Sequence, residues 1–256
     1  MPLVDLLRIP ALRGVDLDDP ATTLLHRRII QSKPFLKRLY LEFYSHLGRE
    51  VPDPDVKRIV ELGSGGGFIK EIYPSVITSE ILQLDGVDVV FSALQMPFAS
   101  ATVDAFFMID VFHHVPDSAR LLSELERCLK PGGTVVLIEP ANTLWSRFCY
   151  TRFHHEAFDP QAGWTLEEGR ALSCANGALP WIVFLRDRDR LRRDAPGLRV
   201  TEIRPHTPIR YLASGGLSMR QLVPNWAFVP LTVFEHLLSA LNPLVGMFYK
   251  IVIRKP

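Results

Sequence analysis

Val60-Glu61-Leu62-Gly63-Ser64-Gly65-Gly66-Gly67 is the stretch on which the reading of this chain turns. The run Arg58-Ile59-Val60-Glu61-Leu62 has the length and composition of a buried strand, and it enters a cluster of four glycines. Glycines at a strand-to-helix turn let the backbone bend tightly and approach a ligand, while N–H groups at a helix start receive the ligand's negative end. The spacing excludes two common uses of such a turn. A Gly-x-Gly-x-x-Gly dinucleotide fingerprint needs glycine where this chain has Phe68, and a P-loop needs Gly-Lys-Ser/Thr, which is missing.

Strand and helix signals alternate on both sides of the turn. Upstream, Leu24, Leu25, Ile29, Ile30, Leu36, Leu39, Tyr40, Phe43, Tyr44 and Leu47 recur at helical spacing between about 21 and 47, with Pro34 as a kink or break. Downstream, the pattern predicts a helix through Phe68–Ile72, then strands around 75–79, 87–91 and 104–110. Asp117 can cap a helix carrying Leu121, Leu122, Leu125, Cys128 and Leu129, which Pro131-Gly132-Gly133 stops before a strand at Thr134–Ile138. Short alternating units of this kind imply a parallel sheet with helices on both faces. The rhythm is lost after Pro140 and returns at 198–203 and 248–253, expected to be the last two strands, paired as an antiparallel edge. Irregular insertions fill about 141–196 and 204–246. The expected organisation is one domain over 1–256, with an N-terminal helical extension (1–55), a cofactor-binding core (56–140), and cap insertions with closing strands (141–256).

From about 57 to 140 the chain resembles class I S-adenosylmethionine-dependent methyltransferases, particularly the branch called type 11. The resemblance rests on the acidic-x-Gly-x-Gly-x-Gly pattern at Glu61–Gly67, on Gln95-Met96-Pro97-Phe98 followed by Thr102-Val103-Asp104, on Asp110-Val111-Phe112-His113-His114-Val115-Pro116-Asp117, and on Leu129-Lys130-Pro131-Gly132-Gly133. It implies an α/β, Rossmann-like, seven-stranded, mostly parallel sheet and S-adenosylmethionine as cofactor. It also implies that Glu61, Gly63, Ser64, Gly65 and Gly67 hold the methionine end. Glu80 follows Glu61 at about the 20-residue interval of a ribose-binding acid, and a carboxylate suits an uncharged diol. The adenine position, commonly Asp in the family, is here Ser92-Ala93, and Asp110 closes strand four against the cofactor.

Methyl transfer from a sulfonium is an in-line displacement with a good leaving group, so alignment and exclusion of water matter most. A base is needed only for a protonated acceptor. Residues after the carboxyl ends of parallel strands line the ligand crevice, which makes His114, beside His113, a candidate base, and likewise the pair His155 and Glu156 within Phe153-His154-His155-Glu156-Ala157-Phe158-Asp159. Both segments also read as ordinary packing or capping. His154, His155 and Glu156 with Cys149 or Cys174 contain metal donors, but adjacent histidines on one segment give no zinc spacing, so no metal is expected. Asn176-Gly177-Ala178-Leu179-Pro180-Trp181 and Arg210-Tyr211-Leu212-Ala213-Ser214-Gly215-Gly216 suit a substrate lid or irregular packing. Arg186-Asp187-Arg188-Asp189-Arg190 reads as a self-paired, solvated surface.

The chain has 256 residues, 47% hydrophobic, with 29 Lys+Arg against 28 Asp+Glu. A net charge of +1 offers a polyanion no general attraction, which argues against a nucleic-acid partner and towards a small-molecule or amphipathic acceptor, methylated at oxygen. Two other functions remain open: a non-catalytic S-adenosylmethionine-binding partner subunit, and a nucleotide-dependent oxidoreductase. Cys128, Cys149 and Cys174 lack paired spacing, and Met1–Leu12 builds no signal peptide, so a cytoplasmic location is expected. The apolar stretch 222–248, with Trp226, Phe228, Leu231, Phe234, Leu237, Leu238 and Leu241, is too interrupted by prolines and polar residues to span a bilayer. It suits self-burial, an acceptor pocket or peripheral membrane contact. Nothing in the sequence sets an oligomeric state.

Overall fold

The computed structural model describes residues 7–12, 14–16, 18–154, 156–166 and 174–256. In chain order its main elements are α1 (Pro20–Ser32), α2 (Pro34–Gly48), β1 (Ile59–Glu61), β2 (Ile77–Glu80), β3 (Val89–Val90), β4 (Val103–Ile109), α3 (Ser118–Cys128), β5 (Leu129–Pro140), α4 (Leu144–Phe153), α5 (Arg188–Asp194), β6 (Arg199–His206), α6 (Arg210–Ser214), α7 (Phe228–Leu237), α8 (Asn242–Val245) and β7 (Phe248–Arg254). The seven strands form one sheet in the order β3-β2-β1-β4-β5-β7-β6. Pairs from β3 to β5 are parallel, and β7 runs antiparallel to both β5 and β6. This is the Rossmann-like arrangement of class I methyltransferases.

Side-chain alternation explains why both faces are covered. Val60, Phe106, Met108, Val135 and Leu137 enter a core with Leu121, Leu122 and Leu125 of α3. Their neighbours Ile59, Ala105, Phe107, Val136 and Ile138 enter a second core with Phe35, Leu36, Leu39, Phe43, Tyr44 and Leu47 of α2. Asp117 caps α3 by accepting the Arg120 N–H at 3.0 Å. Pro34 opens α2, and Lys33 at the break turns its ammonium onto the carbonyls of Ser214, Gly216 and Met219, tying the N-terminal helices to the loop after α6.

Two sequence expectations are corrected. Instead of a helix over Phe68–Ile72 there is one 3₁₀ turn, Ile69–Glu71. Pro74 disfavours the helical region for Tyr73, which leaves too few residues for a helix, and α2 already covers this face, its Tyr44 hydroxyl accepting the Phe68 N–H at 3.1 Å. The closing strands pair antiparallel at one end of the sheet, as expected, but out of chain order: β7, almost wholly buried, lies between β5 and β6, and β6, with Arg199, Glu202 and Arg204, forms the edge opposite β3. The Pro131-Gly132-Gly133 turn is drawn into β5, its Gly132 N–H donating to Lys255 O at 2.8 Å.

Candidate functional site

The carboxyl ends of β1, β2, β4 and β5 open into a cavity of about 740 Å³, within the range of small-molecule sites. At its head the glycine turn folds on itself. Ser64 N–H donates to Ser79 O (2.8 Å), Gly65 N–H to Glu80 Oε2 (3.0 Å), and Gly67 N–H to Ser64 O (2.6 Å). The expected anion-receiving helix start is therefore absent, and these amides are spent holding the loop. Gly63 and Gly65 have φ of +62° and +41°, a region open mainly to glycine. A Cβ on Gly63 would lie 2.6 Å from Val111 Cγ2, and one on Gly67 2.5 Å from the Tyr44 hydroxyl.

Two carboxyls face this turn. Glu61 is 3% exposed, and its Oε2 is buried with no hydrogen-bond partner among the described residues. Burial pushes its pKa up to about 8. Glu80 is buried too, and burial raises it, opposed by the N–H groups of Ile81 and Gly65. Each Glu80 oxygen accepts one amide, Ile81 N–H on Oε1 at 2.8 Å and Gly65 N–H on Oε2, which leaves further lone pairs. Asp110, at φ +55°, closes β4, and burial pushes it up to about 7. Ser92 and Ala93 sit on the wall between Phe91 and Leu94, and Thr23 and His26 of α1 with Tyr40 and Tyr44 of α2 cover the cavity.

The far end holds a cluster of imidazoles and carboxylates. His113 Nδ1 lies 2.7 Å from Glu139 Oε2, while Glu139 Oε1 accepts the N–H groups of Val111 (2.8 Å) and Phe112 (2.7 Å). Glu156 approaches His113 Nε2 at 3.4 Å, His114 Nε2 at 3.7 Å and His154 Nδ1 at 3.6 Å. Burial works against protonation of His113, but the hydrogen bonds and charges of Glu139 and Glu156 outweigh it and hold the imidazole well above its ordinary pKa. Burial, then the neighbouring His113, brings His114 down to about 4, so its ring is neutral near pH 7. Burial raises Glu156, but the three imidazoles outweigh it and leave its carboxyl well below the ordinary range.

Glu61, Gly63, Ser64, Gly65, Gly67, Glu80, Ser92, Ala93, Asp110, His114 and Glu156 all line this one cavity. His155 lies outside the described residues. Sequence reasoning missed Glu139, the buried acid that fixes His113; its signal was an acid at the carboxyl end of an otherwise apolar strand. It also missed Tyr150 and Phe158, stacked at 5.4 Å on the cavity wall. Of the two glycine segments, Gly177, Tyr211, Leu212, Gly215 and Gly216 line the cavity. Arg210 instead enters a buried network with Glu235 (2.6 Å) and Glu42 (2.6 Å), and so is structural.

Residues 60–137 match the family model described as a methyltransferase domain. The demethylmenaquinone methyltransferase of Streptomyces avermitilis is 38% identical over 72 residues, covering 27% of this chain and 31% of that protein. The stretch that the family model matches is about three-tenths of the chain. An uncharacterised methyltransferase of Mycobacterium sp. (strain KMS) is 28% identical over 106 residues, 36% of this chain and 41% of that protein. The chain thus spans less than half the length of these curated relatives. Among solved structures, geranyl diphosphate C-methyltransferase from Streptomyces coelicolor A3(2), in complex with Mg²⁺, geranyl-S-thiolodiphosphate and S-adenosyl-L-homocysteine, has a TM-score of 0.51 at 16% identity, over 86% of this chain and 77% of that one. That likeness is one of fold.

The cofactor of the methyltransferase domain is S-adenosylmethionine, and the residues at the head of the cavity fit it. The Glu61 Oε2, without a partner among the described residues, is a polar atom that the ammonium of a methionine moiety would satisfy. A Cβ on Gly65 would stand 3.4 Å from Glu80 Oε2, filling the cradle beside the carboxyl suited to a ribose diol.

Proposed function

We propose that this protein is a methyltransferase that moves a methyl group from S-adenosylmethionine to an oxygen of a small, amphipathic acceptor. The observation that carries the reading is the buried Glu61 Oε2, without a partner among the described residues, at the head of a cavity whose other end gathers His113, His114 and Glu156. Glu61 and the turn Gly63–Gly67 hold the methionine end, Glu80 the ribose, Ser92 and Ala93 the adenine, and Asp110 bounds the methyl-bearing region. The cofactor supplies a methyl on a sulfonium, a strongly activated leaving group. Tyr40, Tyr44 and the α1 residues exclude water from above, and the apolar walls at Tyr150, Phe153 and Phe158 seat the acceptor's body. Neutral His114 receives the acceptor proton, with Glu156 3.7 Å from its Nε2 to balance the imidazolium that forms. The demethylmenaquinone named for the Streptomyces avermitilis relative agrees with an amphipathic acceptor.

A surface beside the cavity supports peripheral membrane contact. Trp226, Val229, Val233, Phe234, Leu237, Leu241 and Leu244 are exposed on and around α7 and α8; α8 packs on α4, which exposes Leu144, Trp145, Phe148 and Phe153. The acid of α7, Glu235, is buried against Arg210, while Arg147 and Arg152 of α4 flank the aromatics, a combination suited to an anionic lipid surface. Among the described residues no single helix is long and apolar enough to cross a membrane; Asn225–Leu237 and Ser239–Val245 reach that length only as a pair bent by 63°.

Incubating fractionated extracts with methyl-labelled S-adenosylmethionine tests the activity: a labelled small or amphipathic product supports it, and failure with every fraction while the cofactor binds favours a non-catalytic partner subunit. Flotation with anionic vesicles tests the surface, and no association with anionic or neutral vesicles removes it.

A further inference from the structure

The cluster at the far end of the cavity has the geometry of a cation site. His113 and His114 leave β4 on one 3₁₀ turn, Phe112–His114, and Glu156 arrives from the segment after α4, about 40 residues on. Both rings have the Nδ1 turned to a protein oxygen, His113 to Glu139 Oε2 at 2.7 Å and His114 to the Cys174 carbonyl at 3.4 Å. Both therefore present Nε2 to Glu156, at 3.4 and 3.7 Å, and the three prospective donor atoms lie within 4.8 Å of one another. Two donors bound about 2.1 Å from one ion at tetrahedral or octahedral angles stand roughly 3.0–3.4 Å apart, so only side-chain adjustment separates this cluster from a coordination shell.

We propose that His113, His114 and Glu156 bind one divalent transition-metal ion, whose open coordination positions face the cavity and take an oxygen of the molecule held there. Imidazole and carboxylate donors suit zinc, cobalt, manganese or ferrous iron rather than calcium or magnesium, which prefer all-oxygen sites. Three protein ligands with vacant positions are the pattern of reactive rather than purely structural sites. Glu139 and the Cys174 carbonyl supply the outer contacts that orient metal-binding imidazoles, and Glu139 is itself fixed by two backbone amides. The charges also balance: a dication meets the carboxylates of the buried Glu139 and the partly exposed Glu156. With an ion bound, coordination would lower the pKa of an acceptor hydroxyl so that its proton passes to solvent water, and His114 would serve as a ligand instead of a base. The metal site would replace the base role given above to His114; the binding of an ion does not rest on the methyl-transfer reading, but the identity of the oxygen ligand does.

The test is cobalt titration of chelator-treated protein, followed by visible absorption, with equilibrium dialysis for stoichiometry. One ion per chain with ligand-field bands of a nitrogen–oxygen site is expected. His114→Gln and Glu156→Gln, both at partly exposed positions, should each weaken binding at least 100-fold, and Glu139→Gln about 10–100-fold. S-adenosylhomocysteine binding and circular dichroism are measured on each variant as controls for cofactor site and fold. No stoichiometric binding by the wild type, or equal binding by well-folded His114→Gln and Glu156→Gln proteins, overturns the proposal and leaves a His113 imidazolium bridging two carboxylates. Failure of S-adenosylhomocysteine to bind while cobalt does would instead overturn the cofactor reading alone.

Discussion

Binding of the cofactor should expel a proton from Glu61, in an amount that follows from the burial of this carboxyl. With its pKa pushed up to about 8, about nine-tenths of the Glu61 carboxyls are protonated at pH 7 in the free protein. A ligand ammonium against Oε2 favours the carboxylate and returns the pKa towards the ordinary range. Saturation with S-adenosylhomocysteine at pH 7 should therefore release about 0.9 proton from this group. Linkage also sets the affinity: the competent fraction rises about ninefold from pH 6 to pH 7, so the apparent Kd should fall by that factor while the ligand amine stays mostly charged. Calorimetry in two buffers of different ionisation enthalpy measures the released proton directly. Glu61→Gln keeps the shape of the side chain, removes its titration, and should abolish both effects. A wild type with no proton release and a flat affinity between pH 6 and pH 7 would refute the pairing of Glu61 with the ammonium.

Gly63→Ala places a Cβ 2.6 Å from Val111 Cγ2 at φ +62° and should cost about 1–3 kcal/mol in urea unfolding while weakening S-adenosylhomocysteine binding. Binding unchanged in a stable variant would show that the turn does not shape the site. Glu235→Gln leaves the buried Arg210 with Glu42 as its remaining acid partner and should destabilise the protein by roughly 3–5 kcal/mol in the same assay, without altering the cofactor's affinity in the folded fraction. His46 adds an acid-labile element: burial, then Arg49 and other cations, lowers it to about 4. Because the unfolded chain takes up this proton first, the His46 contribution is intact above about pH 6.5 and is lost as pH falls towards 4, by about 3 kcal/mol. His46→Gln should flatten that part of the pH dependence, and an unchanged slope would contradict the assignment. Replacing Trp226 and Leu237 by Ser should weaken flotation with anionic vesicles and leave cofactor binding intact, since neither lines the cavity.

The parallel half of the sheet and the head of the cavity were legible because local signals there coincide with tertiary ones. Glu61, Gly63, Gly65 and Gly67 are adjacent in sequence and stay adjacent in space, and Asp117 caps α3 within its own turn. The helix expected after the glycine turn failed for two reasons, of which Pro74 was visible in the sequence, whereas the cover of this face by α2 is a packing fact that no window around Phe68 contains. The position of β7 inside the sheet was hidden for the same reason: its pairing with β5 joins residues about 110 apart, such as Leu137 and Ile251. The far end of the cavity was only half legible. Spacing flagged His114 and Glu156 separately, but their meeting, and the role of Glu139 behind His113, depends on how β4, β5 and the segment after α4 converge.

The measurement that bears most directly on the central claim is calorimetry of the wild-type protein with S-adenosylhomocysteine and, in parallel, with NAD. The structure predicts one S-adenosylhomocysteine bound per chain and no NAD, with the former lost in Gly65→Arg, where the new side chain fills the cradle beside Glu80, and weakened in Glu80→Ala. No binding of S-adenosylhomocysteine, or binding at full strength in both variants, would contradict it.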